Sequence, residues 1–168
     1  MGKCKKCVEE YNKLKKELEK YKKLSLLNEL TGLWNRRKLK DDLERYLAIK
    51  KRKNINFLVM MIDLDNFKKI NDNLGHEEGD LILKKTAKIL QKNIRKYENC
   101  YHISGDEFIV IFSHYSNPSF EIKVIRKIKK ALSKNNIKAS IGCSVLSKNA
   151  LSIADRRMYD DKRRNKNL

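Results

Sequence analysis

Between residues 55 and 62 the chain reads Ile-Asn-Phe-Leu-Val-Met-Met-Ile, an apolar run with almost no polar alternation. Such a run marks a central strand buried on both faces, which needs strands beside it and helices above and below. It stops abruptly at Asp63-Leu64-Asp65. Charge at the end of a buried strand is costly unless something binds it.

A second acidic pair lies in Ile103-Ser104-Gly105-Asp106-Glu107-Phe108-Ile109-Val110. A short turn between aromatic and β-branched residues predicts a hairpin. Two carboxylates beside a glycine suit a divalent cation and a closely approaching phosphate. Around these two points the chain alternates helices and strands. A helix is expected over 7–24, and Gly32 ends the segment that follows it. Asn35 can cap a helix through 38–50, and 66–73 reads as a short helix whose start offers N–H groups to an anion. Residues 75–80 read as a turn. An amphipathic helix follows, with Leu81, Leu83, Ala87, Leu90 and Ile94 on one face. Hairpin arms are expected at 99–103 and 107–113. A helix over 118–134 is apolar at Ile122, Ile125, Ile128 and Leu132. A strand at 137–145 and a helix at 151–162 close the chain. The expected class is α/β (α+β), a sheet covered by helices.

Residues 1–27 form one unit, a helix with a short coiled-coil seam at Cys7, Tyr11, Leu14, Leu18 and Tyr21, and residues 28–168 form the other. Cys4 and Cys7 make a C-x-x-C with no second ligand pair, which disfavours zinc. Cys100 and Cys143 read as buried free thiols. No apolar run is long enough to span a bilayer, and a cytoplasmic protein is expected. The formal net charge of +19 suggests a polyanionic partner. That partner could be nucleic acid, an anionic membrane face or nucleotide phosphates; the basic residues are spread along the chain, so charge alone does not choose, and no recognition motif supports nucleic acid.

If the two acidic segments end neighbouring strands, Asp63 and Asp65 converge with Asp106 and Glu107 at one edge of the sheet. That arrangement suits Mg²⁺, which takes a few carboxylates plus phosphate oxygens and water. Lys68 and Lys162 could act as point charges on the phosphates. Each cluster alone is also what a helix cap or a solvated turn would give.

Several segments together resemble the GGDEF domain, the diguanylate cyclase family of bacterial signalling proteins. Leu30-Thr31-Gly32-Leu33-Trp34-Asn35-Arg36-Arg37 is similar to its opening motif. Asp63-Leu64-Asp65-Asn66-Phe67-Lys68-Lys69-Ile70-Asn71-Asp72 matches its metal and substrate motif. Gly75-His76 with Gly79-Asp80 follows at the family spacing, and Ser104-Gly105-Asp106-Glu107-Phe108 occupies the signature hairpin. Ser140-Ile141-Gly142, Ala154-Asp155, Tyr159 and Lys162 match the closing segments.

The resemblance implies a palm-like nucleotidyl cyclase sheet and a homodimer in which each domain holds one GTP. The two condense into cyclic di-GMP and two pyrophosphates. It implies Mg²⁺, with Mn²⁺ able to substitute, on Asp63, the Leu64 carbonyl and Asp106. Glu107 would aid the metals or deprotonate the attacking hydroxyl. Asn71 and Asp80 would read the guanine edge, with His76 and Phe67 lining the pocket. Backbone amides near Lys68, together with Lys68, Lys162 and Lys166, would hold phosphates, and Gly105 would let the hairpin approach closely. An inhibitory product site would fall at Arg95 and Glu98, where Glu stands in place of the family's Asp. Ser104 replaces the first glycine of the signature, and His102 stands where an Arg is usual. The alternative expectation is a catalytically degenerate domain that binds GTP or cyclic di-GMP as a receptor.

Overall fold

The computed structural model describes residues 5–166, without the side chains of 5–7, 19–20, 22–24 and 166. Cys4 and the side chains of Cys7 and Lys166 thus lie outside what is described. The elements run α1 (Lys5–Leu24), α2 (Arg36–Lys53), β1 (Phe57–Leu64), α3 (Phe67–Leu74), α4 (His76–Asn93), β2 (Asn99–Ser104), β3 (Glu107–Ser113), α5 (Pro118–Ser133), β4 (Ala139–Val145) and α6 (Ala150–Lys166). The strands form one antiparallel sheet in the order β2-β3-β1-β4.

β1 is buried along its whole length. Leu58, Met60, Ile62 and Leu64 join the core beneath α3, α4 and α5, while Phe57, Val59 and Met61 join the core beneath α2 and α6. Each such side chain contributes about 1.5–3 kcal/mol when fully buried, so β1 is the element both layers are built on. The unbroken apolar run follows directly from this two-sided burial. Cys100 and Cys143 are buried free thiols, and burial pushes the Cys100 thiol up to about 12.

The segment before α2 covers the β2 edge. Trp34 donates its N–H to the Cys100 carbonyl at 3.3 Å and accepts the His102 N–H at 2.8 Å. Asn35 then caps α2, its side chain accepting the Lys38 N–H at 3.1 Å. One turn later Asp42 is buried but compensated by Lys38, Arg45 and the Tyr101 hydroxyl, the last at 2.8 Å. This network fixes α2 on β2.

Four expectations need correction. Residues 75–80 are not a turn: Gly75, at φ 86, is the whole break, and α4 begins at His76. Glu77 and Glu78 in the first turn of α4 favour that start, since acidic groups complement the positive end of a helix. Leu81 is 57% exposed and Ile122 51% exposed, and the buried positions are Leu83, Thr86, Ala87 and Leu90 on α4 and Val124, Ile128 and Leu132 on α5. The closing helix extends to Lys166, longer than its apolar residues suggest, because its last turns are held by polar contacts.

Candidate active site

The β1–β3 register pairs Asp63 with Glu107, so the tip of the β2–β3 hairpin lies beside the end of β1. The turn is tight. Gly105 has φ 42, which an L side chain rarely adopts, while nothing crowds the place its Cβ would take. Glycine is therefore required here for its backbone rather than for space. Ser104 is not among the residues with positive φ, so serine sits there without backbone strain. The Leu64 N–H donates to the Asp106 carbonyl at 3.2 Å, which ties the turn to the end of β1.

The carboxylates then sort themselves. Asp63 is buried, and its Oδ1 receives the Lys162 ammonium at 2.5 Å. Asp106 is half-buried; burial first, then the charge of Asp63, raises its carboxyl above the ordinary value, with Lys162 opposing. Burial alone would lower Lys162, but its hydrogen bond to Asp63 and the charges of Asp63, Asp106 and Asp65 raise it overall. Asp65, grouped with Asp63 by sequence, turns elsewhere: it accepts from the Ser140 hydroxyl at 2.6 Å, with Asn165 beside it. Glu107 accepts from the Ser104 hydroxyl at 2.9 Å. It also lines a cavity of about 570 Å³ together with Leu39, Leu43, Met61, Ile109 and Leu151.

On the other layer, α3 and α4 meet across Gly79. A Cβ there would lie 1.9 Å from Asn71 Oδ1 and 3.3 Å from the Phe67 ring, so glycine makes room for the Asn71 side chain. Asn71 Oδ1 is buried with no hydrogen-bond partner among the described residues. Phe67 is buried, whereas Lys68, His76 and Asp80 are exposed around this contact. Asn66, at φ 61, starts α3 without a side-chain cap. Arg95 and Glu98 lie at the opposite end of β2 from the hairpin tip, roughly 17–20 Å away along the strand. Glu98 is buried and accepts the Arg95 N–H at 2.7 Å, while the Arg95 guanidinium donates to the Tyr97 hydroxyl at 2.6 Å.

The donor set fits a hard cation. Asp106 carries negative charge that burial and Asp63 make costly, and both are oxygen donors. Among the described residues no three His, Cys, Asp or Glu side chains gather to cage a metal on their own. Two carboxylates completed by water and phosphate oxygens is the Mg²⁺ pattern rather than that of zinc or calcium.

Sequence reasoning missed two contributors. His102 is buried behind the turn, where both its ring nitrogens have partners. Asn165 reaches Ser140 and Asp65 from the last helix. Both stand where the sequence departs from the family pattern, His102 in place of a usual Arg and Asn165 in place of a usual Gly, and those departures were the available signals.

A family model described as "Diguanylate cyclase, GGDEF domain" matches residues 25–168. Diguanylate cyclase DosC of Escherichia coli is 32% identical over 153 residues, 82% of this chain and 33% of the relative. Diguanylate cyclase DgcS of Shewanella oneidensis is 41% identical over 87 residues, 52% of this chain and 29% of the relative. The chain thus spans about a third of the length of these relatives. The crystal structure of the coiled coil and GGDEF domain of DgcB from Caulobacter crescentus, in complex with c-di-GMP, superposes with a TM-score of 0.85. It covers 94% of this chain and 91% of that one, at 21% identity, a likeness of fold.

Proposed function

The chain belongs to the GGDEF domain family of diguanylate cyclases, and from that premise we propose that it condenses two GTP into cyclic di-GMP across a homodimer. The observation that carries this reading is the meeting of Asp63, Asp106 and Lys162 at one end of the sheet, where Lys162 only partly offsets the charge of the two carboxylates. A fold has no need of that arrangement, whereas a bound cation and phosphate do.

In this reading Asp63, the Leu64 carbonyl and Asp106 hold Mg²⁺, with Mn²⁺ as a substitute. When bound, the metal supplies Lewis-acid activation of the ribose 3′-hydroxyl and neutralises charge on the α-phosphate and pyrophosphate. The residues of the chain do the rest. With a cation on Asp63, Lys162 would be free to pair with a phosphate oxygen, and Lys68 and the amides at the start of α3 would add to the phosphate cradle. Lys166 is assigned to the same cradle on its motif position. Asn71 and Asp80 take the guanine edge, the carboxylate accepting from its N–H donors, with Phe67 and His76 bounding the pocket. Glu107, which accepts from the Ser104 hydroxyl, would take the proton from the attacking hydroxyl or support the metal. Catalysis requires two domains apposed, since each nucleotide provides the nucleophile for the other.

The test is to incubate the protein with GTP and Mg²⁺ and identify products by mass spectrometry beside Asp63→Ala and Glu107→Ala. Cyclic di-GMP from the wild type and from neither variant supports the enzyme. Nucleotide bound without turnover would instead establish the degenerate receptor.

A further inference from the structure

We propose that His102 is a positioning residue that seats the Gly105–Asp106 peptide, and through it the Asp106 carboxylate. The proposal rests on the cyclase reading only for its kinetic consequence. His102 is 4% exposed, and its ring stacks on Phe108 with centroids 4.5 Å apart and planes 11° apart. Nε2 lies 2.8 Å from the Gly105 carbonyl, and Nδ1 lies 3.3 Å from the Thr31 hydroxyl. Thr31 also donates to Asn28 Oδ1 at 3.0 Å, through its hydroxyl and through its backbone N–H.

Proton counting decides the direction of the bond to Gly105. A carbonyl oxygen only accepts, so Nε2 must carry a hydrogen. Thr31 has one hydroxyl proton. Given to Asn28, it leaves Nδ1 to donate and the ring is an imidazolium; given to Nδ1, the ring is neutral. Both arrangements keep Nε2–H on Gly105. Meanwhile the next carbonyl, that of Asp106, accepts from Leu64. Successive peptides of the turn are therefore held from opposite sides, Gly105 by the 28–34 loop acting through His102 and Asp106 by β1. A glycine with φ 42 has no side-chain packing to hold it, so without the imidazole that peptide is free to rotate. Asp106, the next residue, is then held against Asp63 from the β1 side alone, through its carbonyl on Leu64.

The test compares wild type, His102→Gln and His102→Leu. Glutamine places an N–H donor near the position of Nε2, and leucine fills space without one. Three quantities are read: the Mn²⁺ concentration giving half the maximal rise in melting temperature, the split of GTP turnover into kcat and KM, and the imidazole ¹H–¹⁵N spectrum of the wild type. His102→Leu should raise the Mn²⁺ midpoint and lower kcat, each by about tenfold or more, with KM within about twofold, as expected for a misplaced catalytic group. His102→Gln should recover most of both losses. The spectrum should show a protonated, slowly exchanging Nε2. Wild-type values in His102→Leu, equal impairment in both variants, or a bare Nε2 would each overturn the proposal. If His102→Leu fails to fold, His102→Gln and the spectrum decide. A protein that makes no cyclic di-GMP but shows the Mn²⁺ pattern would sink the functional reading while supporting this one.

Discussion

At the scale of single residues the site is defined by charges that the metal-free fold only partly satisfies. The carboxyl of Asp106 is raised in the folded chain, so the native state holds its proton more tightly than the unfolded chain does. Stability from this group is present at low pH and declines as pH rises through and above the ordinary carboxylate range. Asp106→Asn is therefore expected to raise the melting temperature of the metal-free protein at neutral pH and to abolish the rise caused by Mn²⁺, both read by thermal denaturation. Ser104 makes a smaller contribution. Its bond to Glu107 is exposed and worth about 0.5–1 kcal/mol, so Ser104→Ala should change turnover by no more than about fivefold. A larger fall would mean the hydroxyl acts on the chemistry directly.

At the scale of elements the glycines at close contacts separate substrate binding from stability. At Gly79 an added methyl meets the free end of the Asn71 side chain, which can swing away. Gly79→Ala should fold, keep kcat within about threefold and raise the KM for GTP by about tenfold, the equivalent of one lost hydrogen bond of about 1.4 kcal/mol. At Gly142 the methyl meets backbone, 2.1 Å from the Ala154 carbonyl and 2.2 Å from the Met158 N–H. Here α6 itself must move. Gly142→Ala is expected to cost about 3 kcal/mol, a fall of roughly 6–12 °C in melting temperature, and to carry Lys162 away from Asp63.

The elements also show what sequence could convey. β1 and the hairpin were legible because two-sided burial and a tight turn leave local marks in residues 55–62 and 104–107. The inward faces of α4 and α5 were only partly legible. Leu81 stands two residues before Leu83 and Ile122 two before Val124, about 200° round the helix, so each is apolar but lies off the buried stripe. The start of α4 at His76 was hidden because Gly75 and Gly79 together look like a turn. Only the φ of 86 at Gly75 does that work, while Gly79 is a packing position. His102 and Thr31 are 71 residues apart, so nothing local could report their contact.

For the whole molecule, α1 presents Tyr11, Leu14, Leu18 and Tyr21 to solvent, between 53% and 68% exposed. Their 3-4-3 spacing is the seam expected of two chains packed side by side. Leu14→Asp combined with Leu18→Asp should move the protein towards its 19.9 kDa monomer in sedimentation and lower turnover per chain by about tenfold or more at micromolar concentration. Unchanged mass and turnover would remove α1 from the account of assembly.

The strand order β2-β3-β1-β4 carries a consequence for synthesis on the ribosome. β1 is the earliest strand made, yet it lies between two that come later. From Leu64 to Val145 is roughly 80 residues, or about 4–16 s of translation at 5–20 residues per second. Until Ser113 is made the most apolar segment of the chain has neither neighbour in place, and from there to Val145 it has only β3. β4 and α6 are both still to come, and with them the lysine that neutralises Asp63. Each nascent chain therefore crosses a window in which it is a ready client for chaperones and prone to pair with its neighbours on a polysome. Codon choice between residues 64 and 145 sets how long that window stays open.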